Sequence, residues 1–351
     1  MASFFTNKQL TAIIITVATA FIVMGIMTIV IEVSDDDEKT ENVSIDSPDD
    51  DGGYKFNIKS EGVDDEVPDG GSDEVKVKEP LQTDPYEELD ELIGLESVKE
   101  EVRSLANYVK VQKQREKQGL KSPKLSYHLV FTGSPGTGKT TVARIVARIY
   151  KDLGILKKGH LVETDRSGLI GQYVGQTAPR VNQMCDSALN GVLFIDEAYA
   201  LTQGGSQDYG DEAVATLLKR MEDDRDKLVV IVAGYTNEMK KFIDTNPGLQ
   251  SRFNRYIDFP DYSPEELYDI FLMYLRKNEY NVSSEAAKYM KSQLQYVVEH
   301  KDRNFGNARY VRNVFEKAIQ CQANRLSKSK NNSADDLTML KLEDIKRAFG
   351  F

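Results

Sequence analysis

GSPGTGKT, at residues 133–140, fits the phosphate-binding pattern G-x-x-x-x-G-K-[ST] and lies where a strand should turn into a helix. An apolar run at residues 127–132 precedes it, and residues 141–148 have the apolar spacing of an amphipathic helix. The glycines would let backbone N–H groups surround phosphate oxygens, while Lys139 reaches the β and γ phosphates and Thr140 ligates Mg²⁺. The alternative is a chance match in a glycine-rich turn, which this context disfavours. The stretch therefore predicts a nucleoside triphosphate site.

A second motif, GVLFIDEA at residues 191–198, has the pattern of a buried strand that ends in two carboxylates. At a nucleotide site Asp196 would orient the Mg²⁺ shell, and Glu197 would polarise the attacking water. Solvated acids at a strand end are the alternative. The spacing of about sixty residues after the phosphate loop favours the catalytic interpretation.

Two further positions are candidates for reading the γ-phosphate. An apolar strand at residues 227–234 is followed by Thr236 and Asn237, either of which could sense that phosphate, although Thr236 could equally be a helix N-cap. Arg252 and Arg255 stand just before the strand at residues 256–259. Guanidinium groups suit the charge of a transferring phosphoryl group, and a neighbouring subunit could supply them. Ordinary surface arginines are an equally good interpretation.

The N-terminus differs in composition from the rest of the chain. Residues 9–31 hold no charged side chain and are apolar over enough length to cross a bilayer once. A cleaved signal peptide is the rival, but its A-x-A match at residues 18–20 falls inside the apolar run. Residues 34–85 then carry 18 acidic and five basic side chains, so this segment holds the whole negative charge of a chain whose net charge is −11. We predict a transmembrane helix followed by a disordered acidic linker.

Composition excludes several classes of protein. The three histidines form no H-E-x-x-H motif, which excludes an attached zinc protease, and the two cysteines are too few and too far apart for a disulfide framework or metal spacing. No basic stripe is present, so nucleic acid is not an expected partner. Because ATP is available in the cytosol or an equivalent lumen, we expect residues 34 onward to lie on that side of a membrane.

The order of these motifs resembles AAA+ ATPases, in particular the CbxX/CfqX group that includes red-type Rubisco activase and stage V sporulation protein K. The resemblance runs over residues 85–351. Its group-specific pieces are residues 92–99, 133–140, 171–178, 192–199, 233–235, 251–253 and 306–309.

The resemblance implies roles for residues that spacing only suggests. Ile93 and Gly94 would lie against the adenine, Arg252 and Arg255 would act in trans, and Arg309, at the start of a lid helix, would touch the γ-phosphate. Asn237 is the weak candidate for the sensor-1 asparagine. The nucleotide-binding set is then Ile93, Gly94, Gly133, Ser134, Pro135, Gly136, Thr137, Gly138, Lys139, Thr140, Thr141, Asn237 and Arg309, and the catalytic set is Lys139, Asp196, Glu197, Arg252 and Arg255.

A hexameric ring is also implied, with Tyr173, Val174 and Gly175 as the loop that lines its pore and grips an extended polypeptide. Without the resemblance, Tyr173 would be taken as an ordinary core or surface aromatic. Residues 204–210 form a glycine-rich loop, either a second pore loop or a surface loop.

The expected architecture has four parts: a transmembrane helix (1–33), the acidic linker (34–85), an α/β nucleotide-binding domain (86–260) and a helical lid (261–351). Strands near residues 127, 161, 192, 229 and 256 should form a parallel five-stranded sheet with flanking helices. Ser263 followed by Pro264 predicts the start of a lid of about four helices.

The expected function is a membrane-anchored ATPase that uses ATP and Mg²⁺ to remodel an unidentified protein through the pore of a homo-oligomeric ring. The alternative is a nucleotide-dependent scaffold or switch at the membrane with low turnover, which an intact Glu197 disfavours. A motor on nucleic acid ranks last.

Overall fold

The computed structural model describes residues 83–121, 126–204, 209–329 and 332–350, together with the backbone of two short strands nearer the N-terminus. The chain divides into two units, Met1–Lys78 and Glu79–Phe351. The predicted transmembrane segment at residues 9–31 lies outside the described residues and stays a prediction. Across the described ranges, no helix combines the length and the apolar character that a bilayer crossing needs.

The first unit contains a short antiparallel pair of strands, β1 (Asn42–Ile45) and β2 (Phe56–Lys59). The register sets Val43 opposite Ile58 and Ile45 opposite Phe56. This pair lies within residues 34–85, the predicted disordered acidic linker, most of which lies outside the described residues, and for the segment as a whole that stays a prediction. Each strand alternates apolar and polar residues, which favours strand pairing, and a charge count averaged over the whole linker conceals this local pattern.

The second unit is built on a five-stranded sheet whose neighbouring strands all pair in parallel, in the order β4-β5-β6-β3-β7. The predicted parallel five-stranded sheet is confirmed. Its strands are β3 (Leu129–Gly133), β4 (Leu161–Thr164), β5 (Gly191–Ile195), β6 (Leu228–Gly234) and β7 (Tyr256–Phe259). Because the strands are parallel, all their carboxyl ends lie at one edge, where ligands of such sheets bind.

The sheet is buried on both faces. In β5, Val192 and Phe194 belong to one hydrophobic cluster, while Leu193 and Ile195 belong to the other. Successive side chains of a strand point to opposite faces, so a continuous apolar run fills both cores. This is why the central strands read as unbroken apolar sequence rather than as an alternating pattern.

Helices cover the two faces. They are α1 (Pro85–Asp90), α2 (Glu96–Lys117), α3 (Lys139–Asp152), α4 (Arg166–Leu169), α5 (Thr177–Ser187), α6 (Gly210–Asp223), α7 (Thr236–Asp244) and α8 (Pro247–Arg252), with a 3₁₀ turn at Ala198–Thr202. Part of the predicted loop at residues 204–210 lies outside the described residues, and α6 begins at its last residue, Gly210.

The lid follows β7 directly, and its helical character is confirmed. Where about four helices are expected, the described residues hold five: α9 (Pro264–Lys277), α10 (Ser284–Glu299), α11 (Ala308–Leu326), α12 (Ala334–Thr338) and α13 (Leu342–Ala348). Two short strands, β8 (Asn281–Val282) and β9 (Met339–Leu340), pair in parallel between them. Buried residues of α9, α10, α11 and α13 join the same hydrophobic cluster as α2 and α3, so the lid shares a core with one face of the sheet.

Candidate nucleotide site

The phosphate loop connects the carboxyl end of β3 to the first residue of α3. Gly136 and Gly138 adopt φ values of +71° and +94°, in the left-handed region that favours glycine. Gly136 also lies against the lid, because a Cβ there would stand 2.1 Å from the carbonyl oxygen of Gly306. The loop is therefore shaped by glycine conformation and by close contact with the lid.

Lys139 folds back over the phosphate loop. Its Nζ donates hydrogen bonds to the carbonyl oxygens of Gly133 at 3.0 Å and Ser134 at 2.7 Å. Burial lowers the pKa of Lys139, and the nearby carboxylate of Asp196 acts in the opposite direction. A cation held by neutral carbonyls above the loop can exchange them for phosphate oxygens, which are the stronger acceptors.

The second motif sits beside the loop at the same sheet edge. Asp196 follows β5 directly, and its Oδ1 accepts a hydrogen bond of 3.1 Å from the backbone N–H of Glu197. Glu197 itself has a φ of +48°, which is uncommon for a residue other than glycine. A cleft of about 520 Å³ is lined by Thr140, Asp196 and Glu197 among others. The structure thus brings together three residues that the sequence places 56 and 57 positions apart.

The donors in this cleft fit Mg²⁺. Thr140 offers a hydroxyl and Asp196 a carboxylate, both oxygen ligands of the kind that this ion prefers. Within the described part of the chain, no group of three or more His, Cys, Asp or Glu side chains could hold a metal by itself. At nucleotide sites Mg²⁺ usually takes only one or two protein ligands and completes its coordination shell with phosphate and water. Thr140 and Asp196 are therefore enough protein ligands for this ion.

A second cleft, of about 450 Å³, opens next to the loop and contains both candidates for sensing the γ-phosphate. Thr236 and Asn237 line it together with Gly133 and Ser134. The interpretation of Thr236 as an N-cap is wrong, because α7 begins at Thr236 itself and the cap position is Tyr235. The hydroxyl of Thr236 lies 3.5 Å from Asp258 Oδ1, so that side chain already has a protein partner.

The residues assigned to the adenine lie where the lid meets the sheet domain. Gly94 has a φ of +62° between α1 and α2, and a Cβ there would stand 2.0 Å from Oε1 of Glu266 in the lid. Ile93 packs half-buried against the core cluster that both domains share. The positive φ favours glycine at residue 94, and a larger side chain there would also have to displace the carboxylate of Glu266.

Arg309 approaches the site from the lid. It is the second residue of α11, and the N–H of the preceding Ala308 donates a 3.1 Å hydrogen bond to the carbonyl of Gly136. Its positive charge adds to the burial that lowers the pKa of Lys139. The lid therefore places this guanidinium on the phosphate-loop side of the molecule.

Arg252 and Arg255 lie elsewhere. Arg252 ends α8 and forms a 3.2 Å ion pair with Glu222, while the guanidinium of Arg255 stands 4.9 Å from the ring centroid of Tyr108. Arg255 directly precedes β7, at the amino end of the sheet. The phosphate loop leaves the carboxyl end, so the structure does not bring these arginines to their own chain's loop.

The loop between α4 and α5 exposes two apolar side chains. Tyr173 is 68% and Val174 82% exposed, and Gly175 has a φ of +79°. At the base of the loop, the N–H of Gly171 donates a 3.1 Å hydrogen bond to the hydroxyl of the buried Thr177. This hydrogen bond closes the base of the loop, and the tip with Tyr173 and Val174 is exposed to solvent.

The base of this loop borders Glu197, one of the two candidate carboxylates. A cavity of about 370 Å³ is lined by Ile170, Gly171 and Gln172 and also by Glu197 and Ala200. The Arg166 guanidinium donates a 2.6 Å hydrogen bond to the carbonyl of Ala200, three residues after Glu197. Sequence reasoning did not find this link, since nothing in the sequence marks a bond between an arginine and a backbone carbonyl 34 positions apart.

Sequence reasoning also missed Asn307 and Asp261, two polar residues that join the lid to the phosphate loop. In the sequence, Asn307 was marked only by its position in the motif at residues 306–309. Nothing in the sequence pointed to Asp261.

Comparison with known proteins supports the same assignment. The family model described as "ATPase family associated with various cellular activities (AAA)" matches residues 129–261, and the AAA lid domain model matches residues 263–350. Stage V sporulation protein K of Bacillus subtilis is 42% identical over 259 residues, which cover 74% of this chain and 80% of that protein. The chloroplastic ribulose bisphosphate carboxylase/oxygenase activase of Cyanidioschyzon merolae is 46% identical over 275 residues, covering 76% and 93%.

Protein CbbX of Cereibacter sphaeroides is 44% identical over 264 residues, covering 74% of this chain and 85% of that protein. Among solved structures, the FIGL-1 AAA domain in complex with ADP matches with a TM-score of 0.52 at 19% identity, over 74% of this chain and 82% of that one, a likeness of fold. Family models, relatives and the phosphate-loop geometry agree: this chain belongs to the AAA family of ATPases, in the group that holds stage V sporulation protein K and protein CbbX, and is a nucleotide-binding, ATP-hydrolysing enzyme.

Proposed function

We propose that this chain is a membrane-anchored AAA+ ATPase that couples ATP binding and hydrolysis to the remodelling of a protein substrate through the pore of a ring. The observation that carries the proposal is the exposed Tyr173 and Val174, on a loop whose base shares a cavity with Glu197. Large apolar side chains held out in water mark a surface that binds another chain. A loop seated beside the catalytic carboxylate can move when the nucleotide changes.

The chemistry follows from the residues around the phosphate loop. Loop N–H groups and Lys139 would hold the phosphates, and Glu197 would accept the proton of the attacking water. Mg²⁺ held through Thr140 and Asp196 would neutralise charge on the phosphate oxygens. Arg252 and Arg255 lie far from their own loop, which supports their action on the nucleotide of a neighbouring subunit.

If one subunit supplies the phosphate loop and its neighbour supplies the arginines, the subunits must assemble for the site to be complete. Members of AAA families typically form ring oligomers, and we propose a hexamer of this chain. One relative is named as an activase of another enzyme, ribulose bisphosphate carboxylase/oxygenase. For this chain we propose a protein client as well, of an identity that its own sequence does not specify.

Anchoring rests on the uncharged residues 9–31, which are long and apolar enough to span a bilayer. We propose that they hold the ring to a membrane, with the ATPase domain on the ATP-containing, cytosolic side. The acidic segment that follows would act as a spacer between the membrane and the ring.

The first test is ATP hydrolysis by the full chain at increasing protein concentration. Turnover per subunit should rise as the ring assembles and should fall by about 10²–10⁴-fold in Glu197→Gln, which lacks the base but keeps the loop. Tight ATP binding with no turnover in the wild type would instead favour the scaffold or switch.

The second test is retention of an unfolded polypeptide, labelled casein, by the Glu197→Gln chain in ATP. Retention should exceed that of Lys139→Ala, which cannot hold phosphate, and should be lost when Tyr173→Ala is added. Tyr296→Ala removes a tyrosine that is 58% exposed on the lid and is the matched control. Retention by Glu197→Gln no greater than by Lys139→Ala would contradict remodelling.

A further inference from the structure

Asn307 lies at the point where the lid meets the phosphate loop. It is fully buried and has a φ of +46° with ψ −122°, the geometry of the first central residue of a type II′ turn. Glycine dominates this position, and asparagine tolerates it better than most side chains. A buried residue that bears this backbone cost is held there by its contacts.

The amide of Asn307 bonds to three separate segments. The two hydrogens of its Nδ2 are shared among three acceptors, with Asp261 Oδ1 at 2.9 Å, the carbonyl of Phe305 at 3.2 Å and the carbonyl of Pro135 at 3.3 Å. Its Oδ1 accepts a 3.0 Å hydrogen bond from the backbone N–H of Tyr262. One side chain thus joins the phosphate loop, the connection after β7 and the start of α11.

Asp261 reinforces this junction. Burial alone would raise its pKa, but hydrogen bonds from Lys301, Asn307 and Ser134 hold that pKa below the usual range, so the side chain is an anion. The ion pair to Lys301 is 2.6 Å long. Ser134 belongs to the phosphate loop and Lys301 to the lid, so Asp261 spans the same gap as Asn307.

These contacts act on the outer side of the phosphate loop. A loop that turns its N–H groups toward phosphate must turn carbonyl oxygens away from it, and buried carbonyls need donors. Lys139 covers the carbonyls of Gly133 and Ser134. The lid covers the next two, with Asn307 on Pro135 and the N–H of Ala308 on Gly136 at 3.1 Å.

The bonds that Lys139 makes to the loop and the bonds that the lid makes to the loop should respond differently to nucleotide binding. Lys139 leaves its carbonyls for the phosphates, whereas the bonds from Asn307 and Ala308 lie outside the phosphate site and can remain. The bonds from the lid, together with the 2.9 Å bond from the Thr137 hydroxyl to the carbonyl of Ser134 within the loop, would then hold the loop in the binding shape.

We infer that Asn307 is a positioning residue for nucleotide binding, whose amide holds the Pro135 carbonyl outward and so couples the orientation of the lid to phosphate affinity. The inference rests on nucleotide binding, which the family establishes, and is independent of the remodelling proposed above. Arg309, two residues further on, would contact the γ-phosphate only, whereas Asn307 acts on a loop that surrounds the phosphates common to ADP and ATP.

The test compares ADP affinity with the stability of the nucleotide-free full chain. Asn307→Gly keeps the backbone conformation and removes the amide, and Asn307→Asp keeps the shape but cannot donate to Pro135 or Asp261. Asn313→Gly makes the same substitution at an exposed position within α11, the helix that Asn307 precedes, and is the control. Dissociation constants are measured with a fluorescent ADP analogue, and unfolding midpoints by circular dichroism.

We expect Asn307→Gly to weaken ADP about tenfold, as the loss of one or two buried hydrogen bonds implies. Asn307→Asp should weaken it at least as much, because its carboxylate would face Asp261. Both variants should weaken ATP and ADP to the same extent, whereas Arg309→Ala should weaken ATP more. Asn313→Gly should lower the unfolding midpoint and leave ADP affinity within about twofold.

ADP affinity of Asn307→Gly within twofold of the wild type would overturn the inference. A loss that Asn313→Gly shows equally would also overturn it, because the effect would then be general destabilisation of the lid. Should Asn307→Gly show no cooperative unfolding transition, Asn307→Asp decides by the same two criteria.

Discussion

At the scale of single residues, His128 is a buried histidine whose protonation should make stability depend on pH. It stands just before β3, is 4% exposed, and accepts a 2.9 Å hydrogen bond at Nδ1 from the N–H of Val230. Burial, with the nearby charge of Arg252 as a second cause, lowers the pKa of His128 to about 4. The folded state therefore holds a neutral imidazole that the unfolded state would protonate near pH 6.5.

We expect stability to fall as the pH drops below about 6.5. Since the folded pKa lies below the unfolded one, the unfolded state binds more protons between pH 6.5 and 4, and the contribution of His128 is lost across that window. Between pH 7.0 and 5.5 the loss should be about 1 kcal/mol. Urea unfolding at the two values measures it.

In His128→Gln the side chain cannot ionise, so this part of the pH dependence should disappear. His300→Gln changes an exposed histidine and should keep the wild-type slope. An unchanged slope in His128→Gln would show that other groups cause the pH dependence.

At the scale of elements, a few neighbouring residues are enough to determine where α9 begins. Ser263 accepts a hydrogen bond from the N–H of Glu266, the Glu266 carboxylate accepts one from the N–H of Ser263, and Pro264 occupies the first turn. This capping box is local, so the predicted start of the helix is confirmed. Glu266 also lies against Gly94, which the sequence did not indicate.

We expect Ser263→Ala to destabilise the protein by about 1 kcal/mol, because a helix N–H loses its partner. For a unit of this size the unfolding midpoint should fall by about 2–4 °C. Ser292→Ala, within α10 and exposed, is the matched control and should change it little. Equal midpoints for the two variants would mean that water replaces the cap without cost.

At the scale of the whole molecule, each active site needs more than one chain if the proposed roles of the arginines hold. Arg252 and Arg255 stand at the amino end of the sheet, and the phosphate loop leaves the carboxyl end. Within one chain, no rearrangement of side chains alone can join the two ends of a sheet. Assembly would therefore control turnover.

Mixing two inactive variants tests this. Glu197→Gln keeps the arginines but lacks the base, while Arg252→Ala keeps the base but lacks an arginine. We expect each alone to be inactive and an equal mixture to regain activity, since about a quarter of randomly formed interfaces would pair an intact base with an intact arginine. A mixture of Lys139→Ala with Glu197→Gln, both defective in the same half of the site, should stay inactive. Activity in that control, or none in the test mixture, would contradict action in trans.

Interactions between residues close together in the sequence determined many features of this protein. The phosphate loop, the carboxylates after β5, the five strands and the capped start of the lid follow from glycine conformation, apolar runs and capping chemistry, all of which act within a few residues. The same reasoning could not choose between neighbours, as at Thr236 and Asn237, and the structure places the cap of α7 at Tyr235.

Only the tertiary structure decided which distant residues meet. The bond from Asn307 to Pro135 joins residues 172 positions apart, and Arg166 reaches Ala200 across 34. The sequence contains both partners of each bond but not their distance, because that distance depends on how the lid and the sheet share one hydrophobic core. Those contacts position the phosphate loop and the base of the exposed loop. The sequence could therefore suggest candidate residues for the site, but not the hydrogen bonds that join them.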